Sequence, residues 1–329
     1  MQFNRISPSL NPNQEQPIQQ VNSAHRKSPK YRAGLIFIVV LFALLLLAIN
    51  HDREESNEAI VPETLRIGIL PDQDPETLRR RFAPILKYLS VALQIPCELR
   101  IPESYEHMLE LFHEDEIDLG YFGGYSFVNA RQQDRAMPLV MRRIDTRFTS
   151  LFLVHANSTV QKMEDLQGKR IGFGSPLSTS GHLMPRYFLQ QMKMEPEEYF
   201  SRVAYSGAHD KTVYWVRDGV IDVGTANANT VRSMLGQNLI GFDEIHILWE
   251  TPPYADYVWA VKPAIDENIS RNIRDAFLAL SPDVEEHKAI LESLNASGYI
   301  PADTGFFSNL ESIVQQYEAN VTAAPDQQS

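Results

Sequence analysis

The residues best equipped for chemistry lie in one short stretch, Gly174-Ser175-Pro176-Leu177-Ser178-Thr179-Ser180-Gly181-His182. Three hydroxyl side chains stand in a row at Ser178, Thr179 and Ser180, and Gly181 follows without a side chain. An apolar run, Lys169-Arg170-Ile171-Gly172-Phe173, precedes them and an amphipathic segment continues to Met192, so the stretch reads as strand, tight loop and helix start. The first four N–H groups of a helix have no partner within it, and the macrodipole places partial positive charge there. An anion can take up those N–H groups, three hydroxyls would add donors, and Gly181 would let a ligand approach the backbone. The same residues also suit a plain N-cap, the commonest use of Ser or Thr at such a place.

His209 stands just before a helical pattern from about Lys211 to Arg217, where its ring could donate to an anionic oxygen. A surface histidine beside an aspartate cap fits the same residues. Tyr105 and Tyr125 could close a cleft with rings and hydroxyls, although half-buried tyrosines are commonly structural. Asp118 and Asp222 form a tempting carboxylate pair, but each stands just ahead of a strand end in a repeated phrase, which reads as structural. Enzyme readings lack parts: there is no nucleophile elbow, GxxxxGK loop or HExxH, and the nine histidines do not cluster at metal-ligand spacings. His182 follows Ser180 by two residues, with no acid placed to complete a triad. Cys97 is the only cysteine, which excludes an internal disulfide and a cysteine-based metal cluster. No cofactor and no metal are expected.

These residues need a scaffold, and from Thr64 onward short apolar runs alternate with helix-like segments, the pattern of an α/β chain. Strands are expected at 65–70, 97–101 and 117–122, and helices at 78–93 and 105–112. The second half repeats the phrase. Arg66-Ile67-Gly68 and Ile117-Asp118-Leu119-Gly120 each recur 104 residues later, as Arg170-Ile171-Gly172 and Ile221-Asp222-Val223-Gly224. Two matches at one offset imply two similarly built lobes, each with its own parallel sheet. Ligands in such lobes bind outside the carboxyl ends of the strands, where Ser178–Gly181 and Gly123-Gly124-Tyr125 fall. Extended crossings at 150–156 and 245–250 imply a hinge. Lobe one is then 64–153 plus 250–320 and lobe two 154–249, with the last helices, 269–280, 284–294 and 306–317, packing back on lobe one.

The net charge of −12 argues against a nucleic-acid partner. Ala33 to Ile49 is uncharged, follows Lys27, Lys30 and Arg32, and precedes Asp52, Glu54 and Glu55. It reads as a single-pass membrane span with the N-terminus in the cytoplasm and the body outside. A secretory signal peptide competes, but the 32-residue polar leader and the poor cleavage site at Ala48-Ile49-Asn50 favour an uncleaved signal anchor. The expected order is a disordered cytoplasmic tail (1–32), the anchor (33–49), a linker (50–63), the two lobes and a disordered tail (321–329).

In this order and spacing, the residues from Thr64 to Tyr317 resemble the phosphonate-type substrate-binding proteins of ABC transporters, a group within the type II periplasmic binding protein fold. The resemblance rests on Ser178-Thr179-Ser180-Gly181 followed by Pro185, on Ile117 to Gly123, on Gly207-Ala208-His209-Asp210, on Ile221 to Thr225 and on Thr251-Pro252-Pro253. It implies a phosphonate grip by Ser178, Thr179 and Ser180, a ligand-contacting His209, and site aromatics at Tyr105 and at the Tyr121-Phe122 step, with Phe122 replacing a phenol. The two acids that hold an ammonium group in aminoethylphosphonate binders fall on Asp256 and on Asn229, which carries no charge. The implied protein is a membrane-anchored, two-lobed solute-binding protein for a small phosphorus oxyanion (a phosphonate, phosphite or phosphate ester) and is not an enzyme. Its partner is an ABC permease or, alternatively, a membrane sensor kinase. A more distant alternative is a biosynthetic enzyme on the same fold.

Overall fold

The structure is a computed structural model that describes residues 59–323. The expected cytoplasmic tail, the signal anchor and most of the linker lie outside the described residues, as do residues 324–329. Among the described residues no helix is long and apolar enough to cross a membrane.

The chain begins with β1 (Leu65–Ile69), α1 (Pro75–Leu93), β2 (Cys97–Arg100), α2 (Tyr105–His113), β3 (Leu119–Phe122), α3 (Gly124–Asp134) and β4 (Met137–Arg142). It crosses into β5 (Ser150–His155) and β6 (Arg170–Phe173), then a π-helical turn (Thr179–Leu183) that continues as α4 (Met184–Gln191). The short α5 (Pro196–Tyr199), β7 (Arg202–Tyr205), α6 (His209–Arg217), β8 (Val223–Asn227), α7 (Ala228–Gly236) and β9 (Ile245–Glu250) complete the second lobe. The return brings β10 (Val258–Val261), α8 (Glu267–Leu278), α9 (Glu285–Ser293), β11 (Tyr299–Pro301) and α10 (Ser308–Ala323), whose last residues are helical where a disordered tail is expected.

Two sheets result, ordered β11-β4-β10-β3-β1-β2 and β7-β6-β8-β5-β9. The 104-residue repeat is visible in their register. Ile67 lies opposite Leu99 and Leu119 in parallel pairing, and Ile171 lies opposite Val203 and Val223 in the same way. Asp118 accepts from the Arg66 backbone N–H at 2.8 Å and from its Nε and Nη2, while Asp222 accepts from the same three groups of Arg170. A Cβ on Gly68 would come within 2.5 Å of the Ile117 side chain, and one on Gly172 within 2.3 Å of the Ile221 side chain, so in each lobe the isoleucine just ahead of the neighbouring strand fills the space over the glycine. The carboxylates therefore clamp the starts of β1 and β6 and leave the opposite strand ends to the ligand, which bears out their structural reading.

The lobes meet at two crossings. Phe148 and Tyr254 exchange backbone hydrogen bonds of 2.7 and 2.9 Å, the short antiparallel bridge about which a hinge can bend. Because β5 pairs with β8 and β9 along its whole length, it belongs to the second sheet rather than being divided at residues 153 and 154. The crossing thus comes before Ser150, and the second lobe extends through Glu250. Alternate residues of β5 feed two cores, Leu151 and Leu153 on one face and Phe152 and Val154 on the other. The larger core of lobe one takes Ile273 and Phe277 from α8, Leu291 from α9 and Leu310 and Val314 from α10, so the last helices do pack back on lobe one. It also takes Leu183 and Met184 from lobe two, and the two lobes are therefore closed on one another.

Candidate anion-binding site

The carboxyl end of β6 leads into the loop that the sequence singles out. Ser178 is the N-cap of the following turn, its Oγ accepting from Gly181 N–H at 2.9 Å. Leu183 N–H reaches back five residues to Ser178 O at 2.9 Å, which makes the first turn a wide π turn. Capping and anion binding are compatible here, because the cap uses only a lone pair of Ser178. Among the described residues the N–H groups of Thr179 and Ser180 meet no acceptor. Gly181 serves the protein before any ligand: a Cβ there would stand 3.0 Å from His209 Cε1 and 3.1 Å from Gly174 Cα. The glycine is what lets the histidine ring and the loop backbone pack together.

His209 opens α6 and is fully buried. Its Nδ1 accepts from the Asn227 N–H at 3.3 Å, so the ring hydrogen is on Nε2, which is buried and has no partner. Burial lowers the imidazole to about 4, outweighing the nearby Asp72 carboxylate, and the ring is a neutral donor at ordinary pH. Asp256 is equally enclosed. Its Oδ1 accepts from the Gly124 N–H at 2.8 Å at the start of α3, while Oδ2 is buried without a partner. Burial pushes this carboxyl up to about 7 against the opposing pull of the Gly124 N–H and the Thr179 hydroxyl. Tyr105 is fully buried, and burial, then the Asp72 charge, raises its phenol well above the ordinary value, so it stays protonated.

Both lobes build this site. The Tyr125 N–H donates to Thr179 Oγ1 at 2.9 Å, the His209 N–H to Asp72 O at 2.9 Å, and the Asp74 N–H to Asp210 Oδ2 at 2.8 Å. The N-termini of α3, of the π turn and of α6 converge on one point, each with partial positive charge. Such a point suits a small anion held by neutral donors, and among the described residues no group of three or more metal-ligating side chains occurs.

Residues 67–305 match a family described as ABC transporter, phosphonate, periplasmic substrate-binding protein. The chain belongs to this family. It is 32% identical over 264 residues to a probable ABC transporter phosphite binding protein, PhnD1, of Prochlorococcus marinus, covering 77% of this chain and 89% of that relative. It is 24% identical over 276 residues to the phosphonates-binding periplasmic protein of Escherichia coli, covering 80% and 78%. Among solved structures, Prochlorococcus PhnD1 in complex with methylphosphonate superposes with a TM-score of 0.74 at 31% identity, over 78% of this chain and 99% of that one. The relatives in this family are substrate-binding components of transporters, not enzymes, and the two-lobed α/β fold is theirs.

Within this phosphonate-type binding protein, Ser178, Thr179, Ser180, Gly181, His209, Tyr105 and Asp256 come together. Phe122 does not. It is fully buried with its ring against Phe112 at 5.1 Å, because strand alternation turns it toward α2 while Tyr121 faces Tyr257. Asn229 stands apart as well, lining a cavity of about 300 Å³ with Arg81, Asp210, Asn227 and Tyr257, and its Nδ2 finds no partner there. Three participants, Asp72, Tyr257 and Asn227, carry no motif. Asp72 Oδ2 accepts from the Tyr257 hydroxyl at 2.7 Å, and that hydroxyl accepts from Asn227 Nδ2 at 3.2 Å, which ties both lobes beside His209. Asp72 follows β1 at the same sheet end as the anion loop, and strand-end position is the signal by which it could have been found.

Proposed function

We propose that this binding protein closes on a small tetrahedral phosphorus oxyanion, a phosphonate, phosphite or phosphate ester, and presents it to an ABC permease. The observation that carries the proposal is the pair of buried groups without partners beside the three hydroxyls: a donor, His209 Nε2, and an acceptor, Asp256 Oδ2. A singly protonated phosphorus oxyanion offers acceptors for the first and a P–OH hydrogen for the second. Sulfate and sulfonates are fully ionised at neutral pH and would leave Asp256 facing bare oxygens. Ser178, Thr179, Ser180 and the free N–H groups supply the remaining donors. The ammonium clamp of aminoethylphosphonate binders is incomplete, since Asn229 has no charge and lies in the adjoining cavity. Permease delivery is favoured over sensing because the relatives are transporter components. Residues 33–49 would tether the protein to the membrane, keeping it close to that permease.

Calorimetric titration with methylphosphonate, aminoethylphosphonate, phosphite, phosphate and sulfate tests the reading. The expected result is binding of one or more phosphorus oxyanions and not sulfate, weakened about hundredfold in the Ser178→Ala/Thr179→Ala double variant through loss of two hydrogen bonds to a charged group. Tight sulfate binding, or an unchanged affinity in the variant, would contradict it.

A further inference from the structure

The C-terminal helix α10 is built into lobe one by Leu310, Ile313 and Val314, and an ion pair between Glu311 and Arg131 ties it to α3. One of its residues nevertheless reaches the other lobe. The Tyr317 ring stands edge-on to His182 at 5.4 Å and beneath the Arg186 guanidinium at 5.7 Å, both on the segment that follows the anion loop. On its own side it meets the edge of Tyr125, at 6.3 Å.

His182 is no ordinary surface partner. It is fully buried directly after Gly181, and its Nδ1 lies 2.7 Å from Pro176 O. That contact requires Nδ1 to donate, and it fastens the end of the anion loop to its beginning. Nε2 is then the acceptor, taking hydrogen bonds from Arg186 Nε at 3.0 Å and the Tyr205 hydroxyl at 3.2 Å. Arg186 is held in plane by Glu197, at 2.7 and 2.6 Å. The arrangement is a rigid platform behind the Ser178–Ser180 donors, and the residue that presses on it comes from the opposite lobe. From this geometry we infer that Tyr317 is a closing latch, a positioning residue that holds the anion loop against lobe one while the cleft is shut.

A contact that spans the lobes exists only when they are closed. It slows opening without affecting encounter, so its loss appears in ligand dissociation and not in association. An aromatic pair and a cation–π contact together account for about a tenfold change. The ligand used to read the latch rests on the proposed oxyanion function, so the experiment needs a second readout that does not.

In the full chain, Tyr317→Leu keeps apolar packing but removes the ring, and Tyr317→Phe restores it. The first readout is the dissociation rate of whichever phosphorus oxyanion the wild type binds, by stopped flow. The second is the interlobe distance between spin labels at Val91→Cys and Phe242→Cys, both exposed, in a Cys97→Ser background. The latch predicts dissociation about tenfold faster in Tyr317→Leu, an unchanged association rate and ligand-free melting temperature, near wild-type behaviour in Tyr317→Phe, and longer distances in Tyr317→Leu. Unchanged dissociation and distances overturn it, as does a ligand-free melting temperature that falls along with affinity. If the wild type binds none of the oxyanions, the proposed function fails, and the distances alone decide: a shift to longer values in Tyr317→Leu upholds the latch, and identical distributions reject it.

Discussion

Asp256 shows how burial converts an ordinary side chain into a selective one. In the closed cleft its carboxyl is pushed up to about 7, whereas an opened cleft returns it to water and to the usual carboxylate range. The closed form therefore holds a proton that the open form releases. Closure is favoured at low pH, and that contribution is lost as pH rises through about 7. A phosphorus oxyanion bound with its P–OH hydrogen shared with Asp256 Oδ2 keeps one proton in the closed site, so binding of the dianion present in solution is linked to proton uptake. Calorimetry near pH 7.5 in buffers of different ionisation enthalpy should register about one proton taken up by the wild type and none at this position in Asp256→Asn. Equal uptake in both proteins would remove Asp256 from the account. His209 behaves in the opposite sense: burial holds it near 4, so it stays a neutral donor, and its protonation has no part in binding at neutral pH.

At the scale of elements, the arginine–aspartate clamps are placed to support the sheets and spare the site. Asp118 has 5% of its side chain exposed and Asp222 34%, although both make the same three hydrogen bonds. Asp118→Ala should lower stability by about 3 kcal/mol in urea unfolding, and Asp222→Ala by clearly less, because solvent weakens the more exposed clamp. Neither should alter oxyanion affinity, since the clamps lie at the strand ends away from the ligand. These clamps were legible in the sequence because repetition exposed them, and the hydroxyl loop was legible because a helix start after a strand is a strong local signal. The Tyr121-Phe122 step was not. All four residues of β3 are buried, so no alternation of polar and apolar residues reveals which aromatic faces the cleft. Asn229 depends on how the two lobes meet, which no local spacing encodes, whereas the place of Asp72 just after β1 does mark it as a strand-end residue. The boundary of lobe two differs from the expected one for a related reason: the apolar centre of β5, Leu151 to Val154, reads equally well as the end of one sheet or an edge of the next.

The whole molecule places its chemistry where its mechanics are. Asp256 and Tyr257 follow the hinge bridge at Tyr254 by two and three residues, so bending there moves the acceptor carboxyl and the Asp72 tie together. The site gathers donors from both lobes at converging helix starts, and only closure completes it. The protein as a whole is acidic, at −12, yet the proposed site offers an anion neutral hydroxyls, N–H groups and an imidazole, so the overall charge need not oppose local binding. The most direct test of this account is a crystal structure of the protein with the phosphorus oxyanion that it binds most tightly. The account predicts a closed cleft with the phosphorus group at the Ser178–Ser180 turn, its oxygens within about 3.2 Å of those hydroxyls and of His209 Nε2, and one oxygen facing Asp256 Oδ2. Density for the anion in the cavity beside Asn229, with the Ser178–Ser180 donors and His209 left empty, would contradict it.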